Sequence, residues 1–244
     1  MIVGTLEKEK NYCWVQGNTR GKLYSFLSAV FKDEMSLEQI EEFCTTENMT
    51  RLKDSFAVLP EDKASPLLKS MADLTTVWES RLEKNEPEAE TLELRKEYAY
   101  LFLTPNGVYP FESVYRGKKN LLMDKPWEEV RGFYRRVGLE KDKNEKHPED
   151  HAAVELGFMA SLAFLSGNEL PDLPSTVIEK DEISYALQVQ QAFLTQHLMK
   201  WIPRLCDDIQ EKTRHPFYRS VAELAGLFVE ADGQMLQALT PESN

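Results

Sequence analysis

The chain of 244 residues is long enough for one large domain or two small ones, and 42% hydrophobic residues can form a core. Its 41 acidic and 29 basic side chains give a net charge of −12, which excludes a general nucleic-acid binder, because phosphates require basic surfaces. There is no basic region followed by an apolar stretch at the N-terminus, no apolar run of the roughly 20 residues that span a membrane, and no Cys-x-x-Cys pair. These features predict a soluble protein of a reducing cytoplasm, without stable membrane insertion.

The first half of the chain carries helical patterns with recognisable beginnings. Apolar residues at helical spacing predict a helix over residues 20–31, and Ser36 with Gln39 has the form of a capping box. Ser65-Pro66 is a good pair of cap and first-turn residues, so a helix is expected to begin there. Further helices are predicted around Leu52 and from Pro87.

Residues 97–115 combine the end of a predicted helix with a loop that is rich in large apolar side chains. Tyr98, Leu101 and Phe102 have the three-and-four spacing that places side chains on one helix face. The segment 104–107, Thr-Pro-Asn-Gly, ends the helix, because proline cannot continue it and Asn-Gly readily takes positive φ. The apolar loop that follows either packs inward as a structural plug or lines a groove for an apolar ligand.

The second half of the chain begins with a charged connector. Residues 140–147 have no apolar anchor and are predicted to be a linker. Pro148 is expected to open a helix that is apolar on every side and therefore central, with Glu149, Asp150 and His151 in its first turn. Other helices are predicted over 124–138 and 182–201 and from His215-Pro216.

No stretch alternates with period two for long enough to be a confident strand. The sequence therefore predicts an all-α fold, a single helical domain of about ten helices in two unequal halves. Residues 1–139 would form the N-terminal half, 140–147 the hinge and 148–244 the C-terminal half. Each tryptophan on an apolar helical face is expected to pack in the core: Trp78, Trp127 and Trp201.

His147, His151 and Glu155 are spaced four residues apart, and on one helix this spacing can hold a metal ion. Pro148 would instead place His147 before the helix, off its face. A metal-dependent hydrolase built on these three residues is one hypothesis. The Gly-x-Ser-x-Gly and P-loop motifs are absent, so neither a serine hydrolase nor a P-loop nucleotide hydrolase is predicted.

Four blocks of sequence, taken together, carry a family resemblance. The main block is Glu97-Tyr98-x-x-Leu101-Phe102 with Pro105 and the run Pro-Phe-Glu-Ser-Val-Tyr over 110–115. The second is Pro-Glu-Asp-His over 148–151 with the segment 155–159. The other two are residues 20–27 and the pattern Phe193-Leu194-x-x-His197-Leu198-x-x-Trp201-x-Pro203 with Phe217-Tyr218. From about residue 18 to about residue 230 the chain resembles the TorD/DmsD family of redox-enzyme maturation chaperones.

The resemblance implies a non-enzymatic cytoplasmic chaperone that needs no cofactor of its own. Its client would be a molybdenum-containing oxidoreductase exported in the folded state by the twin-arginine route. The chaperone would bind the client's twin-arginine leader and the apo enzyme, assist cofactor insertion and hold back export until folding is complete. The resemblance implies these leader-binding residues: Tyr98, Leu101, Phe102, Pro105, Pro110, Ser113, Tyr115, Glu149, Asp150 and His151.

A twin-arginine leader offers two guanidinium groups and an apolar segment of about 7 to 15 residues, so its binding requires acidic groups beside an apolar groove. We expect Phe102 to lie mainly in the core, and Tyr98 and Tyr115 mainly in the groove, because tyrosine has an apolar body and a polar tip. The linker would permit a monomer or a domain-swapped dimer. The alternatives are the hydrolase and a structural subunit retained in the mature oxidoreductase.

Overall fold

The computed structural model describes residues 2–56, 59–118, 121–167 and 180–239. Within these ranges the protein is all-α, as predicted, with eleven α-helices and one isolated β-bridge. The helices are α1 (Ile2–Lys32), α2 (Leu37–Phe43), α3 (Thr46–Phe56), α4 (Glu61–Lys84), α5 (Pro87–Leu103), α6 (Glu112–Arg116), α7 (Lys125–Arg136), α8 (Ala152–Ser166), α9 (Lys180–Gln196), α10 (Ile202–Lys212) and α11 (Pro216–Leu239). A 3₁₀ turn, Leu198–Lys200, lies between α9 and α10.

The centre of the fold is α8, which packs against α1 on one side and α9 on another. Its buried side chains are mostly Ala, Leu and Met, and they occur around much of the helix, as expected for a central element. The last helix, α11, packs against α4, α9 and α10. The N-terminal helix α1 is therefore in direct contact with elements from the second half of the chain.

A buried polar network ties α1 to α9 and α11. The guanidinium of Arg20, which is fully buried, pairs with Asp232 on α11 and donates to Gln190 Oε1 on α9 at 2.7 Å. Tyr24 also donates to Asp232, at 2.6 Å. A buried charge is tolerated when it is paired and hydrogen-bonded, and here the pair also fixes how three helices meet.

Two predicted helix boundaries are wrong. Helix α4 begins at Glu61, five residues before Pro66, so this proline lies inside the helix and Ser65 is not its cap. The side chains of Leu67 and Trp78 are buried on α4, and this packing outweighs the one backbone hydrogen bond that proline removes.

The helix expected over 182–201 also ends early, because α9 stops at Gln196. His197 has φ −123° and ψ −86°, which are not helical, and the 3₁₀ turn follows. Pro203 lies in the first turn of a new helix, α10, where its missing N–H costs nothing. The capping box at Ser36 and the start of α5 at Pro87 are confirmed.

The linker over residues 140–147 follows α7 without regular secondary structure. Gly138, with φ +74°, turns the chain at its beginning, a conformation that favours glycine. Lys32 at the end of α1 pairs with Glu145 at 2.5 Å, so the linker is attached to the first helix. Among the helices of the described ranges, none is long and apolar enough to cross a membrane.

Candidate functional site

The loop after α5 is fastened to the helices on both of its sides. The backbone N–H of Val108 donates to Leu101 O at 2.7 Å, and the loop comes so close here that a Cβ on Gly107 would lie 2.1 Å from that same oxygen. From α10, Lys212 Nζ donates to the carbonyl oxygens of Asn106 and Gly107 at 3.1 and 2.5 Å. The loop is thus held in one conformation by backbone groups.

Asp150 joins residues 110–115 after α5, called the signature loop below, to residues 148–151 before α8; these are the two signature segments. Phe111 and His151 form an antiparallel β-bridge, and beside it the N–H of Glu112 donates to Asp150 O at 2.8 Å. The carboxylate of Asp150, which is fully buried, accepts a 3.0 Å bond from the N–H of Ser113 through Oδ2. This contact, called the joint below, lies at the start of α8 and links residues that are 37 positions apart in sequence.

His151 is the N-cap of α8, which corrects the expectation that Pro148 opens this helix and that residues 149–151 form its first turn. The chain uses 148–151 for a turn, closed by His151 N–H to Pro148 O at 3.1 Å, and for the β-bridge. His151 Nδ1 accepts a 3.1 Å bond from the N–H of Ala153. Burial lowers the pKa of His151 to about 3, so the ring is neutral and can accept this bond at neutral pH.

Glu112 and Glu155 form a buried acidic cluster beneath the joint. Glu112 pairs with Arg116 and lies 3.0 Å from His197 Nδ1. Glu155 Oε2 accepts from Trp201 Nε1 at 3.1 Å. Burial raises the pKa of Glu155 well above its usual value, and the negative charge of Glu112 raises it further. The cluster can therefore hold a proton away from solvent, but it offers no exposed reactive group.

Tyr98 and Leu101 lie in the core, with 5% and 0% of their surface exposed. The expectation that Tyr98 lines an open groove is wrong for this structure, because the α5 face that carries it is turned toward the interior. Burial accordingly raises the pKa of Tyr98 to about 12. Phe102 is half-buried, with its ring centroid 5.1 Å from that of Tyr98 and 6.0 Å from that of Phe31.

Tyr115 is half-buried at the surface between the signature loop and α10. Its hydroxyl donates to Asp208 Oδ2 at 2.9 Å, and its ring centroid lies 5.7 Å from that of Trp201. Of the other expected leader-binding residues, Pro105 is exposed, Glu149 is half-buried, and Pro110, Ser113, Asp150 and His151 are buried. The structure thus brings most of them together as an internal joint and leaves only a few at the surface.

Glu149 is held by two residues of α7 that the sequence did not single out for binding. Trp127 Nε1 donates to Glu149 Oε2 at 2.8 Å, and Arg131 Nε lies 3.3 Å from Oε1. Trp127 is half-buried, so its predicted place in the core is wrong, whereas Trp78 and Trp201 are core residues as predicted. The four-residue spacing of Trp127 and Arg131 was the available signal that they share a face.

A polar cleft of about 310 Å³ opens beside this group, between α7 and the linker. Arg131, Tyr134 and Arg135 line it from α7, and charged residues line it from the linker. Both signs of charge are present in its lining.

The three residues of the hydrolase hypothesis do not converge. The His147 and His151 ring centroids are 4.1 Å apart, but His147 Nδ1 lies 2.9 Å from Glu145 and His151 Nδ1 serves the helix cap. Glu155 faces Trp201 instead. Within the described ranges, no group of three or more His, Cys, Asp and Glu side chains is arranged to hold a metal ion.

The fold and the site define an all-α domain in which two loop segments, residues 110–115 and 148–151, are bound to each other at the start of a central helix. A family model described as nitrate reductase delta subunit matches residues 61–207, a range that includes both segments. The chain is similar to the chaperone protein TorD of Vibrio parahaemolyticus, 30% identical over 220 residues that make up 89% of this chain and 94% of the relative. The TorD chaperones of Vibrio atlanticus and Photobacterium profundum are also 30% identical, with the same two coverages. The chain belongs to the TorD/NarJ family.

Proposed function

We propose that this protein is a cytoplasmic maturation chaperone for a molybdenum-containing oxidoreductase and is not itself an enzyme. It binds the client's twin-arginine leader and the cofactor-free client, assists cofactor insertion and holds back export until the client is folded. The support is that relatives named chaperone protein TorD match 89% of the chain. The hydrolase alternative has no converging ligand set to support it.

The joint made by Asp150 is the observation that carries the proposal. Because Asp150 holds the backbone of Glu112 and Ser113, the residue just before it, Glu149, is fixed beside the signature loop. The side chain of Glu149 remains 20% exposed. An acid fixed at the surface beside an apolar loop is the arrangement that a cationic leader requires.

Apolar surface beside the joint supports the same reading. Leu121, Leu122 and Met123 have 55%, 52% and 53% of their surface exposed. The N–H of Met123 donates to Ser113 Oγ at 3.2 Å, which attaches this apolar segment to the signature loop. Since an exposed ion pair contributes only about 0.2–1 kcal/mol, the apolar part of a leader supplies most of the affinity.

Calorimetric titration with a synthetic twin-arginine leader peptide tests the proposal. We expect Leu122→Ser to weaken binding several-fold, because it removes apolar contact area beside the joint. Leu92→Ser is the matched control, since Leu92 is 51% exposed but lies in the first half of α5. Equal affinities for the two variants would remove the segment 121–123 from the leader site.

The chaperone and the retained subunit differ in when the protein leaves its client. A chaperone is expected to co-purify with the cofactor-free oxidoreductase and to be absent from the cofactor-loaded form. Stoichiometric retention in the loaded, exported enzyme would contradict the proposal and support the structural subunit. If the protein binds the leader peptide but co-purifies with neither form of the client, only the proposed role in cofactor insertion is contradicted.

A further inference from the structure

One aromatic face and one carboxylate at the surface hold one guanidinium group. The guanidinium carbon of Arg131 lies 4.5 Å from the ring centroid of Trp127, and its Nε is 3.3 Å from Glu149 Oε1. Trp127 Nε1 donates to the other carboxylate oxygen of Glu149 at 2.8 Å. The group therefore has the parts of a binding site for arginine, namely a stacking surface and an oriented anion.

The site is built so that its walls do not depend on Arg131. Trp127 and Arg131 share a face of α7, whereas Glu149 comes from the turn before α8. The indole N–H orients the carboxylate of Glu149 directly, so the carboxylate keeps its position when the guanidinium leaves. Asp150, next in the chain, is fixed by the joint and anchors Glu149 from the backbone.

The contact that holds Arg131 is exchangeable. The side chain of Arg131 is 34% exposed and that of Glu149 is 20% exposed, and ion pairs that reach solvent are weak. The polar cleft of about 310 Å³ lies directly alongside and offers other carboxylates, Glu140 and Asp142, in its lining. An Arg131 side chain displaced from Glu149 would therefore still face a cleft that is lined by carboxylates.

We propose that Arg131 is an internal stand-in for an arginine of the client's leader, and that the leader's guanidinium replaces it between Trp127 and Glu149. This proposal rests on the proposed function, because it names the receptor for the leader's positive charge. Because Arg131 has to leave this position before the leader's guanidinium can enter, it lowers the affinity for the leader. The receptor favours arginine over lysine, since stacking on the indole and pairing with the carboxylate use the planar guanidinium.

The test is calorimetry with the leader peptide on Arg131→Gln and on a matched control, Arg135→Gln. Both changes remove one positive charge from the same cleft, and Arg135 lies one helical turn further along α7. We expect Arg131→Gln to bind the leader about two- to fivefold more tightly, the range that the loss of one exposed competing pair gives. Arg135→Gln is expected to change affinity little, because its effect is a screened, longer-range one.

A second comparison uses Glu149→Gln, in which the carboxylate is gone. In this background we expect Arg131→Gln to give no gain in leader affinity, since Arg131 and the leader's arginine no longer compete for an anion. A leader with both arginines changed to lysine should show a smaller gain from Arg131→Gln than the native leader. Thermal melting of each variant confirms that it is folded.

The outcomes separate the two proposals. If wild type binds the leader but Arg131→Gln binds no more tightly than Arg135→Gln, the proposal that Arg131 is a stand-in is wrong and the proposed function stands. Weaker binding by Arg131→Gln would make Arg131 a supporting residue and would also overturn the stand-in. If neither wild type nor any folded variant binds the leader, both proposals are wrong.

Discussion

Glu155 keeps a carboxyl group in the interior of the protein, where the charged form is costly unless it is paired. Its side chain on α8 is fully buried and lies beside the carboxyl group of Glu112. Burial and, next, the negative charge of Glu112 raise its pKa well above the usual value. The folded state therefore favours the neutral acid, whereas the unfolded state releases the proton above about pH 4.3.

We predict that Glu155→Gln stabilises the protein at neutral pH. A group whose folded-state pKa is raised lowers stability as pH rises above its unfolded pKa, because the folded state must retain a proton that the unfolded state has lost. Glutamine removes this cost and can still accept from Trp201. We expect the melting temperature at pH 7 to rise by roughly 2–4 °C, the shift that about 1 kcal/mol gives a chain of this size, and the gain to shrink toward pH 4.

Glu112→Gln is the contrasting variant. It removes the buried partner of Arg116, which keeps only its 3.3 Å pair with the half-buried Glu129, so we expect a lower melting temperature at pH 7. Thermal unfolding of both variants between pH 4 and pH 8 checks the prediction. A Glu155→Gln protein that melts earlier than wild type at pH 7 would show that Glu155 acts as a charged, stabilising group.

At the residue scale, the sequence marked segments 97–115 and 148–151, which the structure brings into contact, but it did not predict where each side chain lies. Helical spacing placed Tyr98 and Leu101 on one face, but spacing alone does not say whether that face meets the core or a groove. Histidine is not a typical N-cap residue, so the sequence does not predict that His151 caps α8. The contacts of Trp127 with Glu149 depend on tertiary packing and have no local signal.

At the scale of elements, the α1–α8 crossing depends on glycines at the contact. A Cβ on Gly17 would lie 2.5 Å from the backbone N of Gly167 and 2.6 Å from Ala163 O. A Cβ on Gly21 would meet the ring of Phe164 at 2.7 Å. Real Cβ atoms do not approach backbone atoms so closely, so the two helices can be this near only because the side chains are absent.

We predict that Gly17→Ala destabilises the protein by about 1–3 kcal/mol, the cost typical of overpacking, because the backbone of α8 must shift. Gly132→Ala is the control, since a Cβ there meets only the flexible Arg136 side chain at 3.6 Å. Alanine has the higher helix propensity, so this control is expected to be neutral or to stabilise by up to about 1 kcal/mol. Chemical denaturation measures both; a Gly17→Ala protein as stable as Gly132→Ala would mean that the crossing is looser than the structure indicates.

Among elements, the sequence succeeded where a start signal is self-contained and failed where it depends on neighbours. Ser36 and Gln39 cap each other directly, and the structure has this capping box. Proline is only a permissive signal, because it fits a first turn but does not require one. Pro66 lies inside α4, and Pro148 lies in a turn that precedes α8, because packing and the β-bridge decide those boundaries.

At the scale of the whole molecule, the all-α fold followed from apolar periodicity, whereas the arrangement of the helices did not. The predicted halves 1–139 and 148–244 meet through α1, which packs against α8 and pairs with α11 through Arg20 and Asp232. Such contacts between residues 212 positions apart leave no trace in local sequence. They also make each half incomplete without the other's apolar face.

We predict that shortening the linker converts the protein to a domain-swapped dimer. The closed monomer requires residues 140–147 to lead from α7 to α8 within one chain, while a swapped dimer makes the same α1–α8 contacts between two chains. Deleting residues 141–143 is expected to raise the dimer fraction, since a short, strained hinge favours exchange. Inserting a few Gly and Ser residues at the same position is the control and should favour the monomer.

Size-exclusion chromatography with light scattering, after refolding at low and high concentration, measures the outcome. The deletion variant should be dimeric at both concentrations, and wild type should form dimers only after refolding at high concentration, because exchange competes with closure within one chain. The dimers of the deletion variant and of wild type should both melt close to the wild-type monomer, since α8 makes its contacts with α1 in the monomer and in the dimer. A deletion variant that stays monomeric and melts normally would show that the linker is not the hinge and that the two halves do not exchange.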